Sequence, residues 1–178
     1  LVLTDPPYGI GKAKWDKKFP IWSVDLCFSK ARIVIITPGI WCLGDCISLM
    51  GDRYRWTFCG RCLNGISQRG AIGFNNWIPA VLGGDPIPKG MDVFDYNLIS
   101  GHPIEADHPC PKPLSFIRWL INRVDVYTIL DPFMGSGTVL RAAKDLGRRA
   151  IGIEIEEKYC KIAVKRLRQE VFGFRKEG

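Results

Sequence analysis

Two short strings in this sequence combine acceptors, rings and constrained backbone in ways that suit chemistry. The first is Thr4-Asp5-Pro6-Pro7-Tyr8, at the carboxyl end of an apolar run. Consecutive prolines fix φ and remove two N–H groups, so the neighbouring carbonyls stay open to a ligand. The Asp5 carboxylate and the Pro6 carbonyl form an acceptor pair that can hold both N–H groups of an amine. The nitrogen lone pair is then left free to point at an electrophile. Tyr8 adds a flat face on which a base can stack.

The second string is Leu130-Asp131-Pro132-Phe133-Met134-Gly135-Ser136-Gly137-Thr138, between an apolar run and a helical one. Its glycines let the backbone approach a ligand closely, and the helix start offers free N–H donors. No Lys-Ser/Thr pair follows, so it is not a P-loop, and the third glycine of a dinucleotide fingerprint is absent. Glu154 ends the next apolar run, 19 residues after Gly135. An acidic side chain at that place accepts hydrogen bonds from ribose hydroxyls. Asp131, Phe133, Gly135, Ser136, Gly137, Thr138 and Glu154 are therefore candidates to hold an adenosine-bearing ligand.

The elements that must position these strings alternate in type. Apolar runs at Leu1–Thr4, Ala31–Thr37, Val126–Leu130 and Arg149–Glu154 read as strands, each closed by turn residues. Tyr54–Cys59 and Asn76–Leu82 read as a hairpin with a long basic connection. Helices are predicted over Pro113–Arg123, Thr138–Leu146 and Glu156–Arg168, each with a single apolar stripe. Gly147 stops the second, and the third carries acids first and bases last, matching its dipole. Gly83–Pro113 reads as an irregular excursion. The alternation predicts an α/β sheet.

A chain of 178 residues, 47% hydrophobic and 24% charged, is long enough for one globular domain with a real core. No apolar run reaches the roughly 18 residues of a membrane span and no signal peptide is visible, which leads us to expect a cytoplasmic protein. The net charge of +7 suits a polyanionic partner. Cys42-x3-Cys46 followed by Cys59-x2-Cys62 has zinc-ribbon spacing, but these positions fall in apolar elements, so we expect buried thiols and no metal.

Asp5–Tyr8 taken with Asp131–Thr138 resembles the DNA amino-methyltransferases that act on adenine N6 or cytosine N4. The order, catalytic string before glycine loop, is similar to the permuted beta group. His108-Pro109-Cys110-Pro111-Lys112-Pro113 is similar to the segment that precedes the cofactor helix in that group. The resemblance implies a Rossmann-like, three-layer sheet, mostly parallel with an antiparallel hairpin, binding S-adenosyl-L-methionine and double-stranded DNA. Residues 1–178 would form a single methyltransferase domain, with a hairpin and DNA-contact excursion over 53–107 and a cofactor part over 108–170.

The resemblance also assigns roles. Asp5, Pro6, Pro7 and Tyr8 would be catalytic, and Lys112 would join the cofactor set. Lys12, Lys14, Arg53, Arg55, Arg61 and Arg69 are the candidates for DNA contact. Asp5 favours adenine over cytosine, where Ser is more frequent. A homodimer and a cognate restriction enzyme are further candidate partners. Members of the group carry another strand before the catalytic string, and this chain starts at Leu1 inside a strand. We therefore expect a missing upstream strand, an open sheet edge at Arg149–Glu154, and, as a rival function, an inactive remnant that binds DNA or cofactor. Cytosine-C5 methylation with Cys110 as nucleophile is rejected, because that cysteine sits in the Lys112-Pro113 segment.

Overall fold

The computed structural model describes residues 1–9, 11, 16–64, 68–70, 73–85, 90–97 and 112–169, with 68–70 and 73–75 described by backbone alone. In chain order the elements are β1 (Val2–Thr4), α1 (Trp22–Lys30), β2 (Ile33–Ile36), α2 (Leu43–Met50), β3 (Tyr54–Cys62), β4 (Gln68–Gly70) and β5 (Gly73–Asn75). There follow β6 (Trp77–Gly84), β7 (Val93–Tyr96), α3 (Leu114–Ile121), β8 (Thr128–Asp131), α4 (Thr138–Asp145), β9 (Arg149–Gly152) and α5 (Glu157–Arg168).

Among the described residues, seven strands form one sheet in the order β7-β3-β6-β2-β1-β8-β9, and β4 pairs with β5 in a second, two-stranded one. β2, β1, β8 and β9 run parallel, while β6 is antiparallel to both β2 and β3. The predicted hairpin is thus β3 with β6, and the predicted parallel strands are present within a few residues. Two expectations need correction. α1 was not read from the sequence, and the excursion after Gly83 contains β7, which pairs parallel with β3 from Cys59↔Val93 to Cys62↔Tyr96.

Alternation along the central strands divides the core into two layers. Leu3, Ile33 and Ile35 face α3 and α4, where they meet Ile117, Leu120, Ile121, Val139 and Ala142. Val2, Val34 and Ile36 face the other side, against Val24, Cys27, Cys42, Cys46 and Met50 around α1 and α2. The result is helix, sheet, helix. α3 is anchored by rings, with Phe116 stacked on Phe94 from β7 and Trp119 stacked on Phe116 and tilted against Phe94.

The chain leaves β1 toward β2 on one side and leaves β8 toward β9 on the other, so β1 and β8 flank the point where the strand order reverses. Open α/β sheets bind ligands in the crevice outside the carboxyl ends of such strands. Those ends carry Asp5 and Asp131. Among the described residues, β9 lies at the sheet edge and pairs with β8 alone. Ile151 and Ile153 are exposed there.

Candidate functional site

The two chemical strings meet in one cavity of about 490 Å³. Its wall includes Asp5 to Tyr8 from the β1 end and Asp131 to Ser136, with Thr138, from the β8 end. Glu154 and Lys112 complete it.

On the β1 side the Asp5 carboxylate is held by three donors. Oδ1 accepts the Tyr8 hydroxyl and, at 2.9 Å, the Thr37 hydroxyl from the end of β2. Oδ2 accepts the Lys112 ammonium at 2.5 Å, and the same ammonium donates to Tyr8 Oη at 2.6 Å. A carboxylate offers about four acceptor positions, so one remains. The side chain of Lys112 is only 9% exposed, which makes this ion pair far less screened than a surface one.

The loop after the prolines is fixed by a residue that spacing does not reveal. Tyr8 N–H and Gly9 N–H are the first backbone donors beyond Pro6-Pro7, and both end on Asp16 Oδ1, at 2.8 and 2.7 Å. Asp16 is buried. Cys42 Sγ donates to the Tyr8 carbonyl at 3.2 Å. Gly39 has a positive φ of 67°, and a Cβ there would come within 3.0 Å of the Tyr8 ring, so only glycine leaves that ring its place.

On the β8 side the predicted turn is present. Gly135 and Gly137 have φ of 49° and 79°, and α4 starts directly after them. Glu154 ties this loop down: Oε2 accepts Gly135 N–H at 2.9 Å, and Oε1 accepts Glu156 N–H at 2.8 Å. Arg166 of α5 reaches back to the Ser136 carbonyl, Ser136 Oγ and Thr138 Oγ1 at 3.0–3.2 Å. Arg166 was not foreseen, because a base in the last turn of a helix reads first as dipole compensation.

Asp131 is buried, with Oδ1 accepting the Thr4 hydroxyl at 2.7 Å and Phe133 N–H at 3.1 Å. Burial pushes its carboxyl up to about 7 despite these two donors, with Asp5 and Glu154 adding repulsion. Phe133 lines the cavity and meets Trp22 of α1, ring centroids 6.2 Å apart. Trp22 is 64% exposed and lines the cavity, a flat wall the sequence reading missed along with its helix.

Of the candidate DNA-contact residues, the side chains of Arg53, Arg55 and Arg61 are described, and none of these three lines the cavity. Arg53 pairs with Asp25 at 2.7 Å and lies 4.3 Å over the Phe28 ring. Arg55 donates to the carbonyls of Asp52 and Tyr54. Arg61 forms a two-point pair with Asp95, which raises the guanidinium and lowers the carboxyl. Arg69 lies on β4, where only the backbone is described, and Lys12, Lys14 and residues 108–111 lie outside the described residues.

Cys27, Cys42 and Cys46 belong to the core beside α1 and α2. Burial pushes the Cys46 thiol up to about 12 and Cys27 to about 11, disfavouring the thiolates a metal would need. Among the described residues no three His, Cys, Asp or Glu side chains sit together as a metal group, and no helix is long and apolar enough to cross a membrane.

A family model described as DNA methylase, for N6 and N4 enzymes, matches residues 67–165. That span includes Lys112, Asp131–Thr138 and Glu154 but begins after Asp5–Tyr8. The Type II methyltransferase M2.DpnII of Streptococcus pneumoniae is 48% identical over 69 residues, 35% of this chain and 24% of that protein. The matched segment thus spans about a quarter of the length of the first curated relatives. Among solved structures, the complex of M1.HpyAVI with SAM superposes with a TM-score of 0.71 at 21% identity, covering 94% of this chain and 88% of that one. The cytosine-N4-specific PvuII DNA methyltransferase gives 0.65 at 14% identity, covering 97% and 80%. The three-layer fold described above is the fold of these proteins.

Proposed function

Because the chain belongs to the N6/N4 DNA methylase family, we propose that it transfers a methyl group from S-adenosyl-L-methionine to the exocyclic N6 of adenine in DNA. One observation carries this reading. The amine-accepting string, which the family match does not reach, lines the same cavity as the glycine loop, which it does.

The residues on the β8 side suit the methyl donor. The two positive-φ glycines keep the turn free of side chains, and Glu154 uses two of its roughly four acceptor positions on backbone N–H groups. That leaves room for ribose hydroxyls. Trp22, Phe133, Ile153 and Ile155 supply apolar wall for an adenine ring. When bound, S-adenosyl-L-methionine supplies a methyl group made electrophilic by its sulfonium.

The chain's own groups then act by position and charge. Asp5 and the Pro6 carbonyl accept the two amine N–H groups and turn the nitrogen lone pair toward the β8 side. Thr37 and Tyr8 hold the carboxylate at that angle, and Asp16 holds Tyr8. Neither a metal nor a covalent enzyme intermediate is used. The target base has to leave the duplex stack to enter the cavity.

Purified protein incubated with labelled donor and unmodified plasmid, followed by digestion to nucleosides, tests the reading. N6-methyladenine supports it. N4-methylcytosine would replace the adenine assignment and keep the mechanism, a second reading favoured by the fold match to the cytosine-N4-specific enzyme. No labelled base at all would support the non-catalytic binding module instead.

A further inference from the structure

The acceptor of the amine-binding string already has an amine on it. Lys112 Nζ sits 2.5 Å from Asp5 Oδ2 and 2.6 Å from Tyr8 Oη. It also lies 5.1 Å from the centroid of the Tyr8 ring. Off the hydroxyl end of the ring, the ammonium takes the acceptor an amino base would need for its N–H groups and leaves the Tyr8 ring face open for stacking. The other carboxylate oxygen is taken by hydroxyls from Thr37 and Tyr8, which belong to the frame around Asp5. An incoming amine is therefore directed to Oδ2, where Lys112 stands.

We infer that Lys112 is a positioning residue whose ammonium acts as an internal stand-in for the target amine at Asp5 Oδ2, where an incoming base competes with it. The inference rests on the functional reading above, since it takes Asp5 as the amine acceptor. It goes further by fixing what the base competes with and what chemistry wins. A base bearing an exocyclic amine restores the hydrogen bond that Lys112 gives up. A base with a carbonyl at that place sets an acceptor against an acceptor and leaves the carboxylate unsatisfied, which is costly in a partly buried site. Lys112 thereby sharpens selection for amino over carbonyl bases, because anything that displaces it must replace it. Its charge keeps Asp5 compensated while the cavity holds no base.

The test is a titration by ligand-observed NMR, without methyl donor, in two matched pairs: 2′-deoxyadenosine against 2′-deoxyinosine, and 2′-deoxycytidine against 2′-deoxyuridine. In Lys112→Met the amino nucleoside of at least one pair should gain roughly tenfold or more in affinity over wild type, the size of one lost charged hydrogen bond. Its carbonyl partner should not. Lys112→Arg keeps a cation on Asp5 and should behave like wild type. A nucleoside bound on the glycine-loop side would not respond to residue 112. If Lys112→Met does not fold, acetylation of Lys112 in the wild-type protein reads the same displacement, faster with amino nucleosides and unchanged with carbonyl ones. No amino-specific gain, or an equal gain in the Arg variant, overturns the inference. Since no donor is present, this outcome is separate from a failure to methylate DNA, which would undo the reading beneath it.

Discussion

Thr4 and Asp131 are 127 residues apart in sequence, yet the Thr4 hydroxyl donates to Asp131 Oδ1 at 2.7 Å across the two central strands. Both side chains are buried. Thr4 directly precedes Asp5, and Asp131 opens the glycine loop, so this bond sets the spacing between the two halves of the site.

Burial makes Asp131 a titrating group with a defined sign, against the pull of the Thr4 hydrogen bond. Its folded carboxyl is pushed up to about 7 from an ordinary 3.8, chiefly by burial. A raised carboxyl favours the folded state fully below the ordinary value and loses that contribution as pH rises to about 7. Asp131→Asn keeps an acceptor for Thr4 and Phe133 without titrating. Measured by denaturant unfolding, the variant should gain on wild type between pH 5 and pH 8, by an amount on the order of 2 kcal/mol. A constant difference across that range would contradict the assignment.

The glycines of the loop do not test donor binding equally well. A Cβ on Gly137 would come within 2.8 Å of Ala163 Cβ in α5, and φ is 79°. Substitution there strains the backbone and pushes α5 away, so Gly137→Val should lower the melting temperature as well as donor affinity. Gly135 carries its positive φ beside Glu154 and is the better probe. Calorimetry should show weakened donor binding in Gly135→Val, and undiminished binding in both variants would remove the loop from the site.

Thr37→Val keeps shape and removes one donor from Asp5. Steady-state assay should show kcat reduced about tenfold, near the 1.5 kcal/mol of a hydrogen bond to a charged group, with KM for DNA nearly unchanged. A rise in KM without loss of kcat would mean that Thr37 shapes binding and not the carboxylate.

The parallel strands were legible because they are buried on both faces and so appear as unbroken apolar runs ended by Asp5-Pro6, Pro38 and Asp131. Both chemical strings were legible for a related reason: prolines and glycines at strand ends mark backbone that something must approach. α1 was not, because Trp22, Leu26 and Lys30 are exposed and its apolar stripe is weak. β7 was hidden by its exposed residues Val93 and Asp95 in a polar stretch. Asp16, Thr37 and Arg166 act through contacts 7 to 33 residues distant, which local pattern does not encode. Thr37 could have been found from topology, since it ends the strand next to β1.

The central claim is that Asp5 serves the acceptor amine and the glycine loop serves the donor, within one cavity. Wild type and Asp5→Ala, compared for methyl incorporation into plasmid DNA and for donor binding by calorimetry, test it most directly. Wild type should yield N6-methyladenine, while Asp5→Ala should lose most turnover and still bind the donor within a small factor. Equal incorporation by the two proteins, or loss of donor binding together with turnover in Asp5→Ala, would contradict the claim.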